Sequence, residues 1–317
     1  MHVTPTYQQT ILNYTMPIER KLAEYYLDFR KKQYSEIFKK KLSIKKQKEI
    51  KDFIIKYIKD DDKYLSLISD EGNNISFIIA AKGEDVGEDA IVCQMIIENR
   101  YINNQRINKE IKKIKDFFTE KFKYRKIILI AYPLQQNLIR QYSQSGYAFN
   151  GNTYIGNVTD SLKYYKSKIL ILPKGVKMRT SVDTDVHNIL KLEKLSHGAD
   201  KTSRNRDVTS KQKKAYQKML ENSVRENAAF LIEKNKVLIG YLWVALFSKD
   251  KTIIGDVAVH PSYWGKGLAN ILYNQAFQFM VKKGIKSYMG TSSTTAVMKL
   301  AEKLNRKIIY SSYYVYV

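Results

Sequence analysis

The two halves of this chain of 317 residues show the same order of apolar patterns, which constrains the fold more than any other feature. Each half begins with two segments of helical periodicity and continues with three short strand-like runs. Each then ends with a helix, a strand, a helix and a strand. Runs joined by short turns predict antiparallel hairpins, and the helices between them can cover a sheet. We therefore predict an α/β (α+β) fold with two related domains in tandem, each a mixed, mostly antiparallel sheet flanked by helices.

The predicted domain boundaries lie where this order ends and begins again. The first domain spans 1–160, a connector spans 161–175, and the second domain spans 176–317. The strand predicted at 153–158 is assigned to the first domain, and 160–168 is interpreted as connector. Residue identities match poorly between the halves, so the tandem duplication depends on the order of the elements alone.

Composition excludes several classes of protein. The single cysteine, Cys93, rules out a disulfide scaffold and a cysteine-rich zinc site, and we predict no metal site. No apolar run approaches the roughly 20 residues that span a bilayer. Residues 1–19 lack the basic start and apolar stretch of a signal peptide. The sequence therefore predicts a cytoplasmic protein without a membrane partner, with delivery into a host cell as an effector left open.

The charge balance is strongly basic, with 55 Lys and Arg against 31 Asp and Glu and a formal net charge of +24. Lysines concentrate in two predicted helical regions, at 39–48 and 109–115. Such runs indicate a solvated helix face, which we favour, or a surface for nucleic acid, a membrane or a polyphosphate. Arginine, which binds phosphate and guanine bidentately, is scarce in them, so nucleic acid is the weaker alternative.

The most informative segment is 256–269, which reads D-V-A-V-H-P-S-Y-W-G-K-G-L-A. A predicted strand runs through a proline turn into a loop that contains Gly265 and Gly267 and opens a helix. Glycines let a ligand approach the backbone closely, and the N–H groups at a helix start favour an anion such as a pyrophosphate. Lys266 adds a positive charge. By itself the loop indicates either a phosphate site or only a tight turn.

The whole string resembles the acetyl-CoA signature of the GCN5-related N-acetyltransferase (GNAT) superfamily. In that signature a strand ending V-x-V-x-P precedes a loop of the form R/Q-x-x-G-x-G/A. The matching residues here are Val257, Val259, Pro261, Gly267 and Ala269. Trp264 stands where the family usually has Arg or Gln. The regions 172–179 and 296–304 look like further landmarks, so the resemblance covers about 176–317.

This resemblance implies an acetyl-CoA-dependent N-acetyltransferase that moves an acetyl group to a primary amine of a small molecule or a protein. Pantetheine would pair with the strand, and the loop would hold the pyrophosphate. The run Thr291–Thr295 either contacts the cofactor or caps the next helix, and capping is favoured. The candidate cofactor residues are Val257, Ala258, Val259, Trp264, Gly265, Lys266, Gly267, Leu268, Ala269 and Thr294.

Asp256 is the candidate catalytic base, because acidic residues precede the same strand end in some aminoglycoside-type relatives. A carboxylate there can take the proton that an ammonium acceptor must lose. An ordinary strand-end aspartate that caps a turn is an equally weighted alternative. For His260, His187 and His197 we favour roles in the loop, in solvent or in packing.

The general acid is unassigned. Many members carry a tyrosine in the fourth helix that protonates the leaving thiolate, and the corresponding residue here is Ala301. Tyr310, Tyr313 and Tyr314 are substitutes by position, but we expect them to pack in the core.

The first half resembles the same family faintly. Tyr142 occupies the usual position of the general acid, but the segment corresponding to the phosphate loop, 100–106, contains no glycine. We therefore expect a degenerate copy that shapes the acceptor cleft, with one acetyl-CoA bound per chain. Residual cofactor binding through Arg100 and Arg106 is the alternative.

Two other functions stay open from the sequence. One is a catalytically weak GNAT-fold binding module for RNA or the ribosome, which the basic charge and Ala301 would allow. The other is an acetyltransferase that acts on aminoacyl-tRNA or on a host protein. Neither the acceptor nor the oligomeric state follows from the sequence.

Overall fold

The computed structural model describes residues 18–58, 62–70, 74–85, 88–97, 102–119, 121, 123–199, 210–248 and 251–316. Its contacts divide the chain into two compact units. Unit 1 comprises Met1–Gly83, Ile91–Gly146 and Tyr316–Val317, and unit 2 comprises Glu84–Ala90 and Tyr147–Val315. Each unit combines a sheet with helices, and most strand pairs are antiparallel. The predicted fold class is confirmed. No helix among the described residues combines the length and the apolar character that crossing a membrane requires.

Unit 1 has its strands in the order β1-β2-β3-β4, with β1 and β2 antiparallel and β3 and β4 parallel. The tip of the β2–β3 hairpin, Glu84–Ala90, is counted with unit 2. The elements are α1 (Ile18–Phe38), α2 (Ile44–Ile58), β1 (Tyr64–Asp70), β2 (Asn74–Asp85), β3 (Glu88–Ile96), α3 (Asn104–Thr119), β4 (Lys126–Ala131) and α4 (Gln136–Gln144).

The helices of unit 1 bury the residues that their periodicity predicts. Helices α1 and α2 pack Leu22, Tyr26 and Ile54 into a cluster with Phe77 and Ile79 of β2. Helix α3 buries one apolar stripe at intervals of three and four residues, as expected for an amphipathic helix on a sheet. That stripe consists of Ile107, Ile111, Ile114 and Phe118.

Unit 2 has its strands in the order β11-β5-β10-β9-β8-β7-β6. Two short 3₁₀ turns, at Asp183–Asp185 and Pro261–Tyr263, precede helices α6 and α8. The elements are β5 (Ala148–Asn157), α5 (Val158–Lys166), β6 (Val176–Thr180), α6 (Val186–Ala199), α7 (Ser210–Arg225), β7 (Ala229–Lys234), β8 (Val237–Ser248), β9 (Lys251–Val259), α8 (Leu268–Lys282), β10 (Ser287–Ser292), α9 (Thr295–Lys303) and β11 (Lys307–Tyr316).

Strand β5 lies in the sheet of unit 2, although the sequence grouped it with the first half. It pairs antiparallel with β10 on one side and with β11 on the other. Both partners are more than 120 residues away in the sequence. The domain boundaries at 160 and 176 remain predictions. The contacts divide the two units between Gly146 and Tyr147.

The segment 158–166 is a helix rather than the predicted connector. Helix α5 buries Val158, Ser161 and Tyr165, and the Asn157 side chain caps it by accepting a hydrogen bond from the Asp160 N–H. The buried positions are three and four residues apart, so the segment has the spacing of an amphipathic helix. The sequence did not indicate this helix because one of the three buried residues, Ser161, is polar and polar residues lie between them.

The sheet of unit 2 is buried on both faces. Along β8, Tyr241, Trp243 and Ala245 join a cluster with α6 and α7, whereas Leu242 and Val244 join a cluster with α5 and α8. This alternation is the period of two that a strand imposes on its side chains. The central strands are therefore fixed from both sides, and their ends provide a rigid frame for a site.

Candidate active site

The central feature of unit 2 is a wedge between strands β9 and β10, and every residue of it from 253 to 259 and from 289 to 292 is described. The two parallel strands pair at Ile253 and Met289. Beyond that point β9 follows β8, to which Val257 and Ala258 are paired, while β10 follows β5 through Thr291. Among the described residues no β9–β10 pair follows Ile253 and Met289 although both strands continue, so the two strands part toward the end of β9.

A β-bulge shapes the end of β9. The register with β8 shifts between Trp243, paired with Asp256, and Val244, paired with Ile254, so Gly255 is the extra residue. A Cβ at Gly255 would overlap the ring of Trp243. The bulge thus depends on close packing of an indole on a glycine, and it turns the following residues.

The edge of β9 that faces the wedge carries the backbone groups of Val257 and Val259. The His260 N–H donates to the Ile239 carbonyl on β8 (2.8 Å), so backbone groups at alternate positions point away from β8. The Val259 carbonyl accepts hydrogen bonds from the Trp264 indole N–H (2.6 Å) and the Ser196 hydroxyl (3.1 Å). Trp264 therefore anchors the loop to the strand.

The loop after β9 leads to an exposed helix start. Gly265 and Gly267 have φ angles of +75° and +76°, a left-handed conformation that glycine adopts without strain. Gly267 is the N-cap residue of α8 and makes no side-chain capping bond. Leu268 is buried and Ala269 packs against the core, so their side chains hold the helix while the first backbone N–H groups have no partner within it.

Two further predicted cofactor residues lie beside this frame. Lys266 places its ammonium 4.7 Å from the ring centre of Tyr263, close to the helix start. Thr294 is the N-cap residue of α9, but its side chain makes no capping bond. Its hydroxyl is instead 3.2 Å from the Ser292 hydroxyl, at the end of β10. Thr294 therefore occupies the N-cap position of α9 that the sequence favoured, but its side chain does not cap the helix.

Asp256 lies on the other face of β9, beneath α6 and α7, with its side chain 16% exposed. Its Oδ2 accepts hydrogen bonds from the hydroxyls of Tyr241 (2.6 Å) and Tyr216 (2.9 Å) and lies 3.3 Å from His197 Nε2. Its Oδ1 accepts the Val257 N–H at 2.8 Å. This carboxylate is therefore held by four groups.

Glu193 completes a cluster with His197 and Asp256. One side-chain atom from each of the three residues, a carboxylate oxygen or a ring nitrogen, lies within 4.8 Å of the others. Glu193 and His197 are four residues apart on α6, so they share one face of the helix. The Trp243 indole N–H donates to Tyr216 (3.1 Å) and so positions one donor to Asp256.

Burial and hydrogen bonding shift the pKa values of Asp256 and Glu193 in opposite directions. Burial opposes ionisation of Asp256, but hydrogen bonds from His197, Tyr241 and Tyr216 and the charge of His197 outweigh it, so the pKa of Asp256 is lowered. Burial raises the pKa of Glu193 to about 7, and the charge of Asp256 adds to this shift, while His197 and Lys213 oppose it. A lowered pKa favours the anion and makes Asp256 the weaker base of the two.

The remaining sequence candidates lie elsewhere. His260 accepts the Ser262 N–H through Nδ1 (3.3 Å) and belongs to the turn before the loop. Ala301, Tyr313 and Tyr314 are buried in unit 2, and Tyr142 is buried in unit 1. Whether Asp256 is the base stays a prediction, as does the whole set of cofactor residues. Residues 98–101 and 200–209, which include Arg100 and most of the loop after α6, lie outside the described residues.

The sequence did not single out Glu193, Tyr216, Tyr241 or Trp243, and it assigned His197 to solvent or packing. One signal was present, because Glu193 and His197 are spaced by one helical turn. The sequence does not show, however, that this turn of α6 lies over the end of β9. The Ser196 bond to Val259 fixes that placement.

Comparison with known proteins agrees with the fold described for unit 2. Residues 188–305 match the family model described as "Acetyltransferase (GNAT) family". A search of curated proteins gave no match to the chain. Among solved structures, the chain is similar to a GCN5-related N-acetyltransferase from Sphaerobacter thermophilus. The identity is 10%, the TM-score is 0.51, and 84% of each chain is covered.

A second similar structure is a tandem GNAT protein from the clavulanic acid biosynthesis pathway. It has 10% identity and a TM-score of 0.46, with 80% of this chain and 82% of that chain covered. The first structure shows the fold, and the family model identifies the part of the chain that carries the wedge and the loop. Residues 188–305 are therefore the part of the chain that is similar to the acetyltransferase (GNAT) family.

Proposed function

We propose that unit 2 is an acetyl-CoA-dependent N-acetyltransferase that moves an acetyl group to a primary amine of a small molecule or a protein. The observation that carries the proposal is the wedge, whose edge at Val257 and Val259 leads to the uncapped start of α8. Pantetheine contains amides that suit an added strand. Pyrophosphate suits the free N–H groups and positive end of a helix.

The helix start also fits the pyrophosphate sterically. Among the described residues, and apart from the adjoining backbone, no atom lies within 4 Å of the position that a Cβ would take at Gly265 or Gly267, so the space in front of the backbone is open. Helix α3 of unit 1 differs, because the Asn103 side chain accepts the Arg106 N–H at 2.8 Å. A side chain thus occupies one of the amides that an anion would need there, which supports one cofactor per chain.

The residues around the wedge suit acyl transfer. Acetyl-CoA, when bound, supplies an activated thioester. The Val259 N–H on the wedge edge would donate a hydrogen bond to the thioester carbonyl and stabilise the charge that develops on its oxygen, since the Val257 N–H already donates to Asp256. The cluster of Glu193, His197 and Asp256 lies over the same strand end and offers carboxylates to an ammonium acceptor.

Amine-dependent release of free thiol from acetyl-CoA tests this function. We expect release with at least one amine among putrescine, glucosamine and a lysine peptide, together with an acetylated product of the matching mass. Hydrolysis at the same rate with and without amine would contradict an N-acetyltransferase.

A further inference from the structure

We propose that Glu193 takes the proton from the acceptor's ammonium group, while Asp256 is the fixed anion that holds this ammonium in place. The inference assumes the proposed acetyl transfer and names the groups that recognise the acceptor. It implies an acceptor that binds as a cation. Glu193 comes from α6 and Asp256 from β9, so the site needs both elements.

The hydrogen-bond pattern distinguishes the two carboxylates. Asp256 accepts from Tyr241, Tyr216 and the Val257 N–H and contacts His197, so its oxygens are largely engaged. Glu193 accepts no hydrogen bond from any residue in the described ranges and is half-buried. A proton acceptor needs a free lone pair, and Glu193 offers it.

The position of α6 places Glu193 over the end of β9. Ser196 donates to the Val259 carbonyl, which lies on the edge of the wedge, and His197 contacts Asp256 on the opposite face of the strand. The last turns of α6 therefore cover the strand end next to the proposed thioester site. An amine between Glu193 and Asp256 would approach that site from the helix side.

The charges that face Glu193 explain its titration. They come from Asp256 on β9, His197 on α6 and Lys213 on α7, with burial as the largest effect. Tyr216 and Tyr241 face the same cluster, and burial raises the pKa of each hydroxyl well above its usual value, so both stay protonated donors. A base with a pKa of about 7 is matched to proton transfer at neutral pH.

The proposed step balances as follows. The ammonium gives one proton to the Glu193 carboxylate, and the neutral nitrogen forms a bond to the thioester carbonyl carbon. The C–S bond breaks, and the leaving thiolate takes the second proton that the nitrogen loses. Glu193 then releases its proton to water, so acetyl-CoA and the ammonium yield the amide, free thiol and one proton.

The test is the pH dependence of kcat/KM for Glu193→Gln, measured in the full chain with the fastest of the three amines. Wild-type kcat/KM should rise about tenfold per pH unit up to a plateau above pH 7, where Glu193 is ionised. The variant should lack this limb and lose about 100-fold at pH 7.5. In place of that limb, the kcat/KM of the variant should follow the fraction of acceptor that is already neutral and level off only at the pKa of the amine used.

Two further variants make the result specific. Asp256→Asn should keep the rising limb but move it to lower pH, since removing the neighbouring charge lowers the pKa of Glu193. Glu36→Gln, which changes an exposed glutamate on α1, should behave as wild type. Acetyl-CoA affinity and the melting temperature of Glu193→Gln should not fall, which separates this role from a structural one.

A wild-type pH profile in Glu193→Gln would overturn the inference and leave the proposed function intact. Loss of activity on addition of EDTA, restored by Zn²⁺, would also overturn it, because the cluster would then be a metal site. Absence of thiol release by the wild type with every amine would refute the proposed function itself.

Discussion

The Gly267→Val variant is expected to bind acetyl-CoA at least about 100-fold more weakly than the wild type, a loss of about 2.7 kcal/mol or more. A valine at this position would extend into the open space in front of the first turn of α8, where the pyrophosphate is proposed to lie. It would also disfavour the φ of +76° that presents the backbone N–H groups.

Gly284→Val is the matched control for this substitution. Gly284 follows the other end of α8 with a φ of +70°, and apart from its chain neighbours no atom in the described part of the chain lies within 4 Å of its Cβ position. Both variants therefore pay a similar backbone cost of about 1–2 kcal/mol in stability. Calorimetry should show weakened binding for Gly267→Val alone. Equal acetyl-CoA affinity in the two folded variants would show that this loop does not bind the pyrophosphate.

The Gly255→Ala variant should destabilise unit 2 by about 2 kcal/mol or more, because the added methyl group overlaps the buried ring of Trp243. Displacing this indole also disturbs its bond to Tyr216, which in turn donates to Asp256. We therefore expect a loss of stability together with a loss of turnover.

Gly290→Ala provides the comparison, since the nearest atom to its Cβ position is the Ile254 carbonyl oxygen at 3.8 Å, an ordinary contact. Its effect should stay within about 0.5 kcal/mol. Trp243 and Trp264 are the two tryptophans of the chain and both lie in unit 2, so fluorescence follows the unfolding of this unit. Equal denaturation midpoints for the two variants would show that the bulge does not depend on this contact.

Periodicity and spacing predicted most elements of unit 2 that form the wedge. The alternation along β8 and β9 and the glycine-containing loop before α8 are properties of contiguous residues, so they are visible in the sequence. The partner of a strand is not. The sequence indicates a strand at β5, but its place between β10 and β11 follows from contacts across more than 120 residues.

The candidate site shows the same limit. Asp256 could be found because it adjoins a recognisable motif, whereas Glu193, Tyr216 and Tyr241 come from three other elements and meet it only in the folded chain. The lowered pKa of Asp256 could not be anticipated either. Burial alone would raise it, and the direction is reversed by donors that the tertiary structure supplies.

Calorimetric titration of the full chain with acetyl-CoA tests the central claim most directly. The wedge and the uncapped start of α8 predict saturation at one acetyl-CoA per chain, and Gly267→Val should remove that binding event. A stoichiometry of two would show that the Asn103-capped helix of unit 1 also binds the cofactor. Absence of binding would contradict the assignment of the wedge as a cofactor site.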